Sequence, residues 1–367
     1  MSINQVVRFL GMLKSGRIVD HASLGAVVSS TATGTATVSD ILETSDAWRR
    51  GLRYDDEVLF FADRAIATAN EFKNALGTLP AGWCVPLEYR SDRGTNRTWV
   101  RLEPLHAPGE LIDRVEKGLL GISHPDSETE KSEPFPAEKR TSNPPVEHAS
   151  DLPVIEIPKP RIEDRLPDDL RPYFEYRRGY ANYYFNRLHK ESLLNTRVMP
   201  FDAANAWTVS GRLEGSGTYL ATIENAGARI VFPQRTVTWT SPPRDEPLIA
   251  GDETGRLLAL LWCWRGYTRL DASSETLEYW GQAPLVLADD LTLYEVLREH
   301  RKAAVVDYYI DPQTGLLAAV AWTPAPEDDT LWLLLGDRDS DNVPRSLVYV
   351  AGDLPVAKLH VETLSAP

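Results

Sequence analysis

Ala36-Thr37-Val38 opens the stretch that decides the fold. It runs on through Ser45-Asp46-Ala47-Trp48-Arg49-Arg50-Gly51-Leu52, Asp56-Glu57-Val58-Leu59, Asn70-Glu71-Phe72 and Gly82-Trp83. It closes on Trp99-Val100-Arg101-Leu102, an alternation of period two, as a half-buried strand requires. Residues 36 to 105 therefore read as one β-rich module, beginning and ending in strand. Upstream, Val6, Val7, Phe9, Leu10 and Leu13 sit at spacings that predict a helix over Ile3 to Leu13 with one apolar face, and Gly16 is a natural stop.

Together these residues resemble a PDZ domain of the type carried by bacterial HtrA/Deg-type serine proteases. Gly16-Arg17-Ile18-Val19-Asp20-His21-Ala22-Ser23-Leu24-Gly25 is similar to the join between protease barrel and PDZ domain in that family. The resemblance implies peptide binding by strand addition, in which main-chain hydrogen bonds supply affinity and a pocket reads one apolar side chain. It assigns Ser23-Leu24-Gly25-Ala26 as the loop whose N–H groups take a C-terminal carboxylate, Ala26-Val27-Val28-Ser29 as the receiving edge, and Ala69 to Leu76 as the flanking helix. The candidate peptide-binding residues are thus Leu24, Gly25, Ala26, Val27, Val28, Phe72, Ala75 and Leu76. From spacing alone, Leu24, Val28, Phe72 and Leu76 read equally as core.

Two features depart from the family pattern. Tyr54-Asp55-Asp56 stands where a glycine usually precedes the Asp, and Ser29 to Thr35 is a polar insertion beside the edge strand that could shield the edge or cap the groove. The trypsin-like barrel that precedes the PDZ domain in the family has no counterpart in this sequence. The expected partners are peptides or unfolded and C-terminal protein segments, with a separately encoded protease as a further one.

Catalysis by the chain itself is not expected. A serine protease needs a nucleophile, a base, an orienting carboxylate and oxyanion donors, and the family's Gly-Asn-Ser-Gly-Gly does not occur. Gly215-Ser216-Gly217 reads as a hairpin turn, and Gly121-Ile122-Ser123-His124-Pro125 fails the nucleophile-elbow pattern at its last position. The histidines, at positions 21, 106, 124, 148, 189, 300 and 360, are scattered. Asp337-Arg338-Asp339-Ser340-Asp341-Asn342 alternates acids like a calcium loop but lacks its glycine and has Val348 in place of the terminal Glu. No phosphate loop and no cysteine spacing for zinc occur, so no cofactor is expected.

The chain has 367 residues, 43% hydrophobic and 25% charged, enough for two cores at about 100 to 200 residues per domain. A net charge of −14 argues against nucleic acid or anionic membrane as main partner, because both demand basic surface. Cys84 and Cys263 fall in different expected domains and read as small buried hydrophobes. With no basic leader and no window of roughly 20 apolar residues, the sequence as written is expected to stay in the cytoplasm, whereas relatives of the HtrA type are usually exported to the periplasm.

Residues 124 to 172 are rich in Pro, Glu, Ser, Lys and Asp and read as an extended linker in which Val154-Ile155-Glu156-Ile157 could dock as a strand. Beyond it come an aromatic run from Tyr173 to Phe185 and strand patterns at Trp207 to Leu213, Gly217 to Ile223, Arg229 to Phe232 and Thr236 to Trp239. The leucine-rich Gly255 to Gly266 predicts a helix, and Leu291 to His300 predicts a second, with Asp289 or Asp290 as N-cap. Further strands are expected at Ala304 to Ile310, Leu316 to Thr323, Leu331 to Leu335, Arg345 to Val350 and Ala357 to Leu364. Tyr279-Trp280-Gly281, the Asp311-Pro312-Gln313-Thr314-Gly315 turn and the final hairpin are similar to the lipoprotein-carrier fold of LolA and LolB, in which a curved sheet wraps a helix.

The expected fold class is α+β and β-rich: an N-terminal PDZ domain, a small barrel or sandwich with two helices, and a C-terminal curved antiparallel sheet covered by one or two helices. The expected divisions are 1–22 for the helix and join, 23–106 for the PDZ domain, 107–170 for the linker and 171–367 for the β-rich domain. The leading functional expectation is a non-catalytic peptide- or protein-binding chain. The alternatives are a fragment of a trypsin-like serine endopeptidase, and a carrier of lipoprotein or another apolar ligand whose tryptophans 207, 239, 262, 264, 280, 322 and 332 line a cavity rather than fill a core.

Overall fold

The computed structural model describes residues 3–32, 34–107, 109–120, 166–198, 206–242, 248, 251–288 and 290–366. The proline-rich span from 121 to 165, with the expected strand at Val154 to Ile157 and the Gly121 to Pro125 motif, lies outside them.

The N-terminal lobe runs α1 (Ile3–Lys14), β1 (Ala22–Ser23), β2 (Ala26–Ser30), β3 (Ala36–Ile41), α2 (Asp46–Arg49), β4 (Glu57–Phe61), β5 (Arg64–Ala65), α3 (Ala69–Leu76), β6 (Cys84–Ser91), β7 (Gly94–Arg101) and β8 (Glu103–Pro104). Its main sheet has the order β2-β3-β4-β6-β7, with β5 paired to β4, while β1 pairs with β8. Local chemistry fixes the helices. Ser45 caps α2 by accepting from the Trp48 N–H at 3.2 Å. Thr68 and Glu71 form a reciprocal capping box at the start of α3. In the Tyr54-Asp55-Asp56 turn, Asp55 takes φ +66°, in the left-handed region that glycine enters most readily.

Chain order continues with α4 (Glu110–Val115), inside the span read as linker, then α5 (Tyr183–Thr196), β9 (Trp207–Leu213), β10 (Gly217–Glu224), β11 (Gly227–Val231), β12 (Thr236–Thr240) and α6 (Glu253–Gly266). The strands β13 (Leu277–Pro284), β14 (Leu293–Arg301), β15 (Ala304–Ile310), β16 (Leu317–Thr323), β17 (Leu331–Arg338), β18 (Pro344–Ala351) and β19 (Leu354–Ser365) complete it. Among the described residues β9 to β19 form one open, curved antiparallel sheet of 11 strands, ordered β12-β11-β10-β9-β19-β18-β17-β16-β15-β14-β13. The fold is α+β and β-rich.

One expectation fails here. Leu291 to His300 is no helix; its residues lie in and before β14, paired with β13 and β15 on either side. Leucine, glutamate and arginine give the segment helical propensity, but two flanking ladders decide its conformation. The helix α5 takes only Tyr183, Tyr184 and Phe185 from the aromatic run into its first turn, and Asn182 caps it by accepting from the Tyr184 N–H at 3.1 Å.

The large sheet is covered on both faces. Leu257, Leu258, Leu260, Leu261 and Trp264 of α6 join one hydrophobic cluster with Trp207, Trp322, Leu331 and Leu333. The opposite face contributes Trp280, Val296, Tyr309, Ala319, Ala321 and Trp332 to a second cluster, which is also the core of the N-terminal lobe. Ala321 stands directly across from Trp332 in the β16–β17 register, so a small residue leaves room for the large ring. Helix α1 lies against β13 beside Gly281, at φ +122°, where a Cβ would come within 2.5 Å of the Met12 sulfur. Among the described residues no helix is long and apolar enough to cross a membrane.

Candidate functional site

The edge strand β2 and the helix α3 stand side by side, and all eight sequence-assigned residues lie on them or on the loop before β2. The loop is held by its own hydrogen bonds. Gly25 sits at φ +71° with its Cα packed so closely on Ser45 that a Cβ would fall 2.4 Å from the serine Cβ, which excludes any other residue. The Gly25 N–H donates to the Ser23 hydroxyl at 3.0 Å, and its carbonyl accepts from the Leu42 N–H at 2.8 Å. Behind it stands Glu103. One carboxylate oxygen accepts from the Asp46 N–H at 3.2 Å, and the other lies 3.4 Å from where a Gly25 Cβ would be.

The inner surface between β2 and α3 is packed. Leu24 is 2% exposed, Val28 1%, Phe72 2% and Ala75 0%, with Ala26 and Leu76 half-buried. Phe72 packs against Phe61 with ring centroids 5.0 Å apart and the rings tilted by 57°. Leu24, Val28, Phe72 and Ala75 belong to the buried core of the lobe, with Ala26 and Leu76 packed against it. The outer rim is different. Val27 is 52% exposed, Ser29 and Ser30 are exposed, and β3 is the strand that pairs with β2. What this region offers chemically is main chain, a row of N–H and C=O groups at a sheet border beside a fixed helix. The far end of α3 is anchored as well: Gln5 donates to the Gly77 carbonyl, and Arg8 to the Thr78 hydroxyl and the Asp63 carboxylate.

A second cluster lies at the seam between the lobes, around a cavity of 140 Å³. Arg298 forms a two-pronged pair with Asp307 at 2.7 and 2.8 Å, with its guanidinium 4.4 Å from the Trp280 ring centre. Arg50 reaches Asp46, Asp329 and Asp353 at 3.3, 2.6 and 3.2 Å. Burial by itself would weaken the hold of both guanidiniums on their protons, but the adjacent carboxylates more than offset it. The seam joins the lobes through compensated charge. Sequence reading missed it, because Arg298 fell in a segment read as a helix while Asp307, a lone acid in the apolar β15, was the available signal.

The remaining candidates fall as follows. Gly215-Ser216-Gly217 is the turn between β9 and β10, with the Ser216 N–H donating to the Leu213 carbonyl at 3.0 Å. His106, His300 and His360 approach Asp20, Glu278 and Glu214 at 2.9, 3.0 and 3.1 Å. Among the described residues no group of three or more His, Cys, Asp or Glu is placed to hold a metal. Of the seven tryptophans named as cavity candidates, all but Trp262 are at most 7% exposed and belong to the two cores.

No family model and no curated protein matches the chain. Among solved structures, an HtrA-type protease with a decapeptide aligns at 13% identity and TM-score 0.24, over 28% of this chain and 34% of its own, so the chain spans about a third of that protease. A domain named for outer-membrane lipoprotein sorting, from Vibrio parahaemolyticus, aligns at 11% identity and TM-score 0.28, over 49% of this chain and 91% of its own. A LolA superfamily protein from Nitrosomonas europaea aligns at 10% identity and TM-score 0.26, over 50% and 94%. At TM-scores this low the likenesses carry no weight for function.

Proposed function

We propose that this chain is a non-catalytic protein-interaction molecule that captures an extended peptide segment along β2 by strand addition, as a PDZ domain does. The observation that carries the reading is the position of β2. Among the described residues it ends its sheet next to a capped helix, with exposed side chains at its rim. Edge main chain of this kind pairs with a guest strand, and the pairing is indifferent to most guest side chains. Because Leu24, Val28, Phe72 and Ala75 fill the interior, selectivity for an apolar anchor is low unless α3 moves away from β2.

The same loop disfavours a free C-terminus. One of its N–H groups is already given to Ser23, and the Glu103 carboxylate repels a second carboxylate brought beside it. The ligand is therefore an internal segment of an unfolded or flexible protein. A separately encoded protease acting on the captured segment is a compatible partner. A carrier role for the large sheet would require α6 to leave the concavity that its leucines fill.

The test is a display screen of extended peptides against the full chain, repeated with Val27→Lys, which places a charge at the exposed rim without touching the core. Enrichment that vanishes in the variant supports the reading. Enrichment unchanged in the variant, or none in either, refutes it. Binding near micromolar Kd is expected, about −8 kcal/mol, because ordering an extended chain offsets much of the backbone pairing.

A further inference from the structure

The 140 Å³ cavity at the seam is walled by both lobes, with Arg50 and Trp99 on one side and Arg298, Asp307, Tyr309 and Trp332 on the other. The two carboxylates among its described lining residues are engaged. Asp307 gives both its oxygens to Arg298. Asp46 accepts from Arg49 and Arg50 on one oxygen, and from the Arg101 backbone N–H, at 2.7 Å, on the other.

Two donors of the same lining are not engaged. Both terminal nitrogens of Arg50 are taken, by Asp46, Asp329 and Asp353, yet its buried Nε has no acceptor among the described residues. The buried indole N–H of Trp99 has none either. Three carboxylates hold the Arg50 guanidinium in place, and Gly352 approaches it so closely that a Cβ there would fall 2.4 Å from Nη1, so Nε is not free to turn toward a partner elsewhere. A buried donor left unpaired is costly, and two on one cavity wall call for an occupant that accepts hydrogen bonds. Water accepts, but it gains little from the rings of Trp99, Tyr309 and Trp332 that share the lining.

We propose that this cavity binds a small uncharged aromatic molecule whose carbonyl oxygen accepts from the N–H groups of Trp99 and Arg50. The volume is close to the roughly 150 Å³ that accommodates benzene in an engineered apolar cavity, which sets the ligand at single-ring size. An uncharged carbonyl supplies the missing acceptor without the desolvation cost of a carboxylate, which would also stand beside Asp46 and Asp307. Because the walls come from both lobes, an occupant bridges them and stabilises their union. The proposal does not rest on the peptide-binding reading, since neither β2 nor α3 contributes to the lining.

The test is titration calorimetry on the full chain with three probes: acetophenone, ethylbenzene, which matches its shape without the acceptor, and benzoate, which adds charge. Acetophenone is expected to bind at one site with Kd about 0.1 mM, in keeping with what a ligand of its size can gain, and the other two about tenfold more weakly. Trp99→Phe keeps an aromatic ring and removes the N–H, and it is expected to weaken acetophenone about fivefold while leaving ethylbenzene unchanged. Trp262→Phe is the control. It removes an indole N–H bonded to the Asn225 carbonyl on α6, which packs on the other face of the sheet, and should alter neither. Failure of acetophenone to bind would leave water as a sufficient occupant and overturn the proposal. Equal binding of acetophenone and ethylbenzene, tighter binding of benzoate, or equal effects of the two variants would overturn it as well.

Discussion

The Trp83 indole N–H donates to the Gln282 carbonyl at 2.8 Å, so a fully buried side chain of the N-terminal lobe is hydrogen-bonded to β13 of the large sheet. The two lobes are joined by shared core as well as by chain. Trp83→Ala removes the ring and leaves that carbonyl unpaired, a loss of about 4 kcal/mol. Calorimetry of the wild type is expected to show one cooperative transition, shifted to lower temperature in the variant. Two separated transitions in the wild type would show that the lobes unfold independently.

Asp55→Gly is expected to stabilise the chain. Asp55 holds φ +66°, a region that costs an L-residue energy and glycine little. Relief of that strain is partly offset by the greater freedom glycine has when unfolded, leaving a net gain of about 0.5 kcal/mol. Chemical denaturation would register it as a higher midpoint at unchanged slope. A lower midpoint would show that the Asp55 side chain contributes more than its backbone costs.

Acid should destabilise the protein in part through Glu278. Burial would raise this carboxyl, but the charge of Arg17 and hydrogen bonds from His300 and Tyr180 hold it well below the usual carboxylate range. The folded state binds this proton less readily than the unfolded chain does. The contribution is therefore complete above the unfolded value of about 4.3 and is lost as pH falls toward the lower folded value. Glu278→Gln should lower stability at neutral pH and flatten its decline below about pH 4. A decline as steep as in the wild type would place the acid sensitivity elsewhere.

Both thiols should be inert in the native protein. Burial pushes Cys84 and Cys263 up to about 12, so the reactive thiolate is scarce at pH values near 8. A thiol-reactive dye is expected to label neither cysteine until denaturant is added, and then both. Rapid labelling of Cys84, the less buried of the two, would show that the seam opens.

Much of this architecture is legible in the sequence. The bounds of Trp207–Leu213 and Ala304–Ile310 follow from the strand pattern, those of Ala69–Leu76 from the family resemblance, and the structure has elements with the same bounds. The β14 segment was misread because its alternation is blurred. Val296 faces the N-terminal lobe, Leu297 faces α6, and both are buried, as happens when a sheet is covered on both sides. A leucine and valine pair followed by Arg298 and Glu299 then looks like a helix turn. In the edge region, spacing alone could not separate pocket from core. The packing of α3 on β2, which spacing does not encode, buries Leu24, Val28, Phe72 and Ala75 and leaves Val27 at the rim.

The central claim concerns the border of β2 that no described strand pairs with, and amide hydrogen exchange reads it directly. With a screened peptide bound, slowed exchange confined to residues 26 to 30 and the adjoining face of α3, absent in Val27→Lys, is the predicted result. Protection that appears elsewhere while β2 exchanges unchanged would contradict strand addition at this edge.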